Sequence, residues 1–274
     1  MSVARKLIEK RELISIFTLR ELRTKYKRSV LGWTWSLINP LATALLYTLV
    51  FSLILKVEAP VGNPSGIKNY TVYLLCALLP FQFFNSTLTT SVDVLVSNGN
   101  LIKKAAFPRS IFVLSVVMAM TLTLVIELGV LAIILLAMGN SVLPWLPLVL
   151  VLVFIESIFV LGVALMASVW NVYFRDLKYL ITIALQFMFY LTPVLYPITL
   201  VPKHSEIFGT DLPVRALYRL NPLVGMVESY RAVLYDLRFP SVGTMLYTIG
   251  WSVALLVVGF WVFGRNERRL AEEV

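Results

Sequence analysis

The stretch LRTKYKRSVLGWTWSLINPL, residues 22–41, sets Arg23, Lys25, Lys27 and Arg28 directly against an apolar run opened by Trp33 and Trp35. Cations among anionic headgroups, with amphipathic rings just beneath them, are what the inner boundary of a bilayer favours. The run that follows, 38–55, approaches the roughly 20 residues a helix needs to cross hydrocarbon. Five more runs of this kind lie downstream, at 70–92, 111–138, 144–170, 179–196 and 244–263. Unbroken apolar runs demand helices and not a barrel, because a lipid-exposed backbone must satisfy its own polar groups. The expectation is an all-α integral membrane protein with six transmembrane helices in one domain over 1–274, of which 1–37 form a cytoplasmic interface segment.

Composition agrees. Hydrophobic residues make up 59% of the chain and charged ones 14%, with a mean hydropathy of +0.84, well outside the balance of soluble domains. The net charge of +9 does not indicate nucleic acid, because no soluble domain carries a basic face. Cys76 and His204 are each the only residue of their type, so neither an intramolecular disulfide nor a Cys/His metal cluster can form. The charged start, MSVARKLIEKRE, lacks the apolar core of a signal peptide. No internal repeat relates the two halves of the chain.

Lys and Arg in the flanks give orientation. They gather before the first span, at Lys103, Lys104 and Arg109, at Arg175 and Lys178, and at Arg265, Arg268 and Arg269, which places both termini in the cytoplasm. The residues before the first span mix Leu13, Ile14, Phe17 and Leu22 with charges and suggest an amphipathic helix lying along the membrane surface. Its cations can anchor that helix, or anchor it and also attract an anionic substrate. Both readings stay open.

Five motifs, in this order, resemble those of ABC-2 type permeases that export polysaccharides, the family of O-antigen, capsule, teichoic acid and galactan exporters. They are KYKRSVLGWTWSLINPL before span one, NLIKKAAFPRSIF at 100–112, VYFRDLKY at 172–179, TPVLYP at 192–197 and LNP at 220–222. The resemblance covers nearly the whole chain. It implies a homodimer paired with two copies of a separate ATPase subunit, which would hold ATP and Mg, moving a lipid-linked polysaccharide outward across the bacterial plasma membrane. It also implies that short helices between spans five and six dip back into the outer leaflet, and that spans one and five line the conduit.

Each site can be weighed physically. Around 98–109, Asn-Gly breaks a helix, Asn100 can cap a short new one and Pro108 ends it. Leu101, Ile102, Lys103, Lys104 and Arg109 then form either a solvated connector or, as the family suggests, a coupling helix for the ATPase. Glu127 and Glu156 interrupt spans three and four; an ionised, unpaired carboxyl at mid-membrane costs about 2.5–3.5 kcal/mol, so each must be neutral, bonded or facing water. A glycan conduit needs aromatic faces for C–H surfaces and polar groups for hydroxyls, and Tyr47, Phe51, Gln186, Phe187, Tyr190 and Thr192 supply them, although such residues also serve lipid and helix packing. Arg23, Lys25, Lys27 and Arg28 are the candidates for a phosphate headgroup.

No catalytic constellation is visible. No glycine is followed by lysine, so a phosphate-cradling P-loop is absent. A membrane-embedded lipid- or glycan-processing enzyme is the alternative, and it lacks the clustered acids or histidines such chemistry uses. A secondary transporter would be expected to show repeats and broken helices.

Overall fold

The computed structural model describes residues 11–25, 31–104, 107–207, 210–267 and 269–273. Helix α1, Arg11–Lys25, precedes α2, Trp35–Tyr47, which continues as a π-helical stretch over Thr48–Ile54. Then come α3, Tyr70–Ser97; α4, Gly99–Lys104; α5, Ser110–Ala137; α6, Leu146–Tyr173, entered through a 3-10 turn at Leu143–Trp145; and α7, Leu177–Leu191. After a small hairpin pairing Ser205–Ile207 with Thr210–Leu212 follow α8, Val214–Arg219, and α9, Pro222–Tyr230. The latter runs on as a π-helical turn, Arg231–Asp236, before α10, Val242–Asn266, and α11, Leu270–Glu273.

Among the described residues, five helices and not six are long and apolar enough to cross a membrane: Trp35–Ile54, Tyr70–Ser97, Ser110–Ala137, Leu143–Tyr173 and Val242–Asn266. The correction falls on the run expected at 179–196. Its helix ends at Leu191 after 15 residues, a rise of about 22 Å at 1.5 Å per residue against hydrocarbon about 30 Å thick. Proline is the cause. Pro193 disfavours helical backbone at the residue before it, and Thr192 is extended at φ −107°, ψ 130°. The apolar run continues to Tyr196 without helix.

The segment expected to lie along the membrane surface contains helix α1, Arg11–Lys25. Ile14 and Thr18 are buried, Ile14 against Ile111 at the foot of α5, and the Phe17 ring meets Phe107 and Phe112 at 5.7 and 5.0 Å. Ile16 and Leu19 on α1 remain exposed, as suits a helix resting on lipid.

Helix α3 is the most enclosed of the long helices, whereas α2 and α10 leave most of their surface open. The Asn69 side chain caps α3 by accepting from the Val72 N–H at 3.1 Å. Between α6 and α10 glycine sets the spacing: a Cβ on Gly162 would lie 2.4 Å from the Leu255 carbonyl carbon, and one on Gly259 would lie 2.5 Å from the Gly162 oxygen. Backbones this close give membrane helices the dispersion contact that the hydrophobic effect cannot supply in lipid.

The two ends of the bundle differ. At one, Arg20 donates to the Asn98 side chain at 2.6 Å and the Arg109 N–H donates to Glu267 at 3.3 Å, gathering α1, the α4 connector and the chain beyond α10. At the other, the π turn Arg231–Asp236 ties two loops together. The Tyr235 hydroxyl stands 2.9 Å from the Pro60 oxygen and 2.8 Å from that of Ile67, and accepts from the Asn69 N–H at 3.2 Å; Asn140 donates to the Leu234 oxygen at 3.1 Å.

Candidate functional site: a polar track along the third helix

Within a largely apolar bundle, α3 carries Gln82, Asn85, Ser86, Thr89 and Asp93 at spacings of three and four residues, which places them on one helical face. None of the five is buried. Gln82 and Asn85 open into a groove of about 430 Å³ between α2, α3 and α7. Asn85, Ser86 and Thr89 line a second hollow of about 420 Å³ that reaches Glu21, Leu22 and Thr24 on α1. A third, of about 140 Å³, shares Gln82 with the first and Ser86 with the second, and is bounded by Trp35, Asn39 and Glu127. Amides and hydroxyls thus run from the surface helix toward mid-bundle, where aromatic rings take over.

Those rings form a chain. Tyr47 stacks on Phe189 at 5.9 Å and meets Phe51 edge-on at 6.2 Å; Phe51 stacks on Tyr70 at 6.4 Å; Phe189 packs edge-on against Phe81 and Tyr190, both at 5.3 Å. Of the conduit candidates, Tyr47, Gln186 and Tyr190 border the groove and Phe51 lies next in the ring chain. Phe187 is 65% exposed and does not border it, and Thr192 is fully buried, accepting from Asn221 at 3.2 Å. Phe189 and the α3 stripe escaped sequence reading, although the stripe's spacing was there to be seen.

The segment after α7 is held by a buried guanidinium. Arg231 donates through Nη1 to the Pro193 oxygen and through Nη2 to the Val194 oxygen, both at 2.5 Å, while its Cζ lies 3.8 Å over the Tyr73 ring. Tyr70 donates to the Leu195 oxygen at 2.7 Å. Asn221, besides reaching Thr192, caps α9 by accepting from the Leu223 N–H at 3.0 Å. The motifs TPVLYP and LNP, far apart in sequence, therefore meet.

Glu156 is buried on α6 and accepts from the Tyr230 hydroxyl at 2.8 Å. Glu127 instead faces the hollow beside α2, so the two acids serve different surroundings. On α4, Leu101 is exposed, but Ile102 is buried in a cluster with Val94, Phe112 and Leu270. Lys103 is exposed and Arg109 binds Glu267. Arg23 is exposed near the end of α1. Lys27 and Arg28 lie outside the described residues, as do the side chains of Lys25 and Lys104.

A multi-pass helical bundle with a polar track along one of its helices suits a transport subunit. The sequence profile of the ABC-2 type transporter family matches residues 12–235, and the chain belongs to that family, whose members are transport subunits and not catalytic enzymes. It is 32% identical to the O-antigen export system permease protein RfbA of Klebsiella pneumoniae, over 95% of this chain and 94% of that protein. To RfbA of Myxococcus xanthus it is 28% identical over 99% of both chains, and to the polysialic acid transport protein KpsM of Escherichia coli 23% identical over 92% of both.

Proposed function

We propose that this chain is the permease subunit of an ABC exporter that carries a lipid-linked polysaccharide from the cytoplasmic to the outer side of the bacterial plasma membrane. It works as a homodimer with two copies of a separate ATPase subunit, which binds ATP and Mg. The carrying observation is the succession of three hollows that share lining residues, from α1 along Thr89, Ser86, Asn85 and Gln82 to the rings of Tyr47, Phe189 and Tyr190. Full-length likeness to permeases named for O-antigen and polysialic acid supports the cargo class.

The chemistry suits sugar. Uncharged amides and hydroxyls exchange hydrogen bonds with passing hydroxyls at little net change in energy, and ring faces pack on C–H surfaces without gripping any one residue. Arg23, exposed near the end of α1, and the cations Lys25, Lys27 and Arg28 that follow it in sequence are the residues proposed to meet an anionic phosphate headgroup. The end that gathers α1, α4 and α11 is rich in Lys and Arg and is read as cytoplasmic, with both termini on that side. Exposed Leu101 on α4 is the apolar contact for the ATPase.

The test is export by the permease co-reconstituted with its ATPase. Asn85→Leu together with Gln82→Leu should cut glycan export about tenfold or more by removing polar partners from the track, while complex assembly and basal ATP hydrolysis stay near wild type. Unchanged export in the double variant would remove α3 from the conduit.

A further inference from the structure

At the end of the bundle opposite α1 lies a polar cavity of about 470 Å³, outside the track, between α9 and the start of α10. Arg219 and Arg238 border it, with Glu228, Ser229, Thr244 and Tyr247. Among the described residues Arg219 makes no hydrogen bond or ion pair, and Arg238 commits only Nε, to Asp236 at 3.0 Å. The first turn of a 25-residue helix opens onto the same space, capped by Ser241 and carrying Gly243, where an added Cβ would meet nothing within 4 Å. Its amides add partial positive charge. Glu228 opposes this with one carboxyl, whose pKa burial raises while Arg219, Arg231 and Arg238 pull it back down.

Depth gives the second half of the observation. The cavity sits where α10 turns apolar, beside Phe239, which is 72% exposed and packs its ring 4.9 Å from that of Trp145, an aromatic pair typical of the membrane–water boundary. From its rim an exposed apolar stripe descends α10 through Leu246, Ile249, Val253 and Val257.

We propose that this cavity binds the phosphate of an anionic lipid headgroup, with the acyl or prenyl chain lying along that α10 stripe. Two guanidinium groups and a helix N-terminus recognise the phosphate, and the stripe demands that it belong to a lipid. The inference does not depend on the exported cargo.

Binding can be measured by native mass spectrometry of the 274-residue chain in detergent, titrated with dioleoylphosphatidylglycerol, dioleoylglycerol or a polyprenyl phosphate, with inorganic phosphate as competitor. Phosphatidylglycerol should bind at least about tenfold more tightly than dioleoylglycerol, and the Arg219→Gln, Arg238→Gln double variant should lose that advantage. Arg265→Gln, at the other end of α10, should keep it, which separates the cavity from overall charge. Tighter retention of polyprenyl phosphate would make the occupant a carrier lipid, equal or weaker retention a membrane phospholipid; both uphold the site. Equal binding of the two diacyl lipids, equal binding by wild type and double variant, or full displacement by millimolar inorganic phosphate would overturn it.

Discussion

The guanidinium of Arg231 lies 3.8 Å over the ring of Tyr73 while its two terminal nitrogens reach the carbonyls of Pro193 and Val194. One side chain thus satisfies the backbone just where Pro193 forbids α7 to continue. Because planar bidentate donation is the point, Arg231→Lys should rescue little. Either Arg231→Lys or Arg231→Gln should destabilise the permease by roughly 2–5 kcal/mol, read as a lower melting temperature in detergent and faster proteolysis between residues 193 and 201. A lysine variant as stable as wild type would show that charge alone suffices.

Steric contact at the α6–α10 crossing makes a sharper prediction. Gly162→Leu should abolish monodisperse protein on size exclusion, since even its Cβ would collide with the Leu255 backbone. Gly243→Ala, in open space, should purify normally.

Glu156 and Tyr230 should behave as a coupled pair. Glu156→Gln keeps an acceptor and should change stability by less than about 1 kcal/mol, whereas Tyr230→Phe leaves the acid without its donor and should cost about 1–3 kcal/mol. A double-mutant cycle pairing Tyr230→Phe with Glu156→Leu, which removes the acceptor, should give a coupling of about 1 kcal/mol on thermal unfolding. If the variants instead change export with no shift in stability, Glu156 acts on the cargo.

On α4 the two neighbouring apolar residues should separate. Leu101→Asp should weaken co-purification of the ATPase while the permease still inserts and stays folded, because Leu101 faces outward. Ile102→Asp should impair the fold itself, since it buries a charge among Val94, Phe112 and Leu270. Stoichiometric co-purification with Leu101→Asp would remove α4 from the docking surface.

Energy supply gives the simplest check. Purified alone, the chain should hydrolyse no ATP, and activity should appear only on co-expression with a P-loop subunit. Hydrolysis by the lone permease that survives further purification would contradict this.

Much of this architecture is legible in residue order because hydrocarbon imposes one strong rule, that a crossing helix be long and apolar. Spans at 70–92, 111–138, 144–170 and 244–263 lie within helices Tyr70–Ser97, Ser110–Ala137, Leu143–Tyr173 and Val242–Asn266 to within a few residues. The rule misleads at 179–196, where apolar character persists past Thr192 although Pro193 has ended the helix; hydropathy averages over side chains and does not register a backbone limit. It also passes over the polar stripe, because Gln82, Asn85, Ser86 and Thr89 lie inside the run 70–92 and are averaged into its apolar character. Arg231 could not be anticipated at all, because its partners are main-chain oxygens, three of them 35 to 38 residues away in sequence and that of Tyr73 158 away, and nothing in the sequence announces them.

Helix α7 carries one more implication. Its exposed face, from Tyr179 and Leu180 through Ile183 to Phe187 and Leu191, is apolar over a height of only about 22 Å, some 8 Å less than an unperturbed bilayer core. A helix this short meets a full-thickness core only if the leaflets thin beside it or the apolar chain that runs on to Tyr196 completes the wall. A polar headgroup moving beside the helical part of α7 would then have a shorter apolar wall to pass than a full-length span presents, a consequence of stopping one helix early.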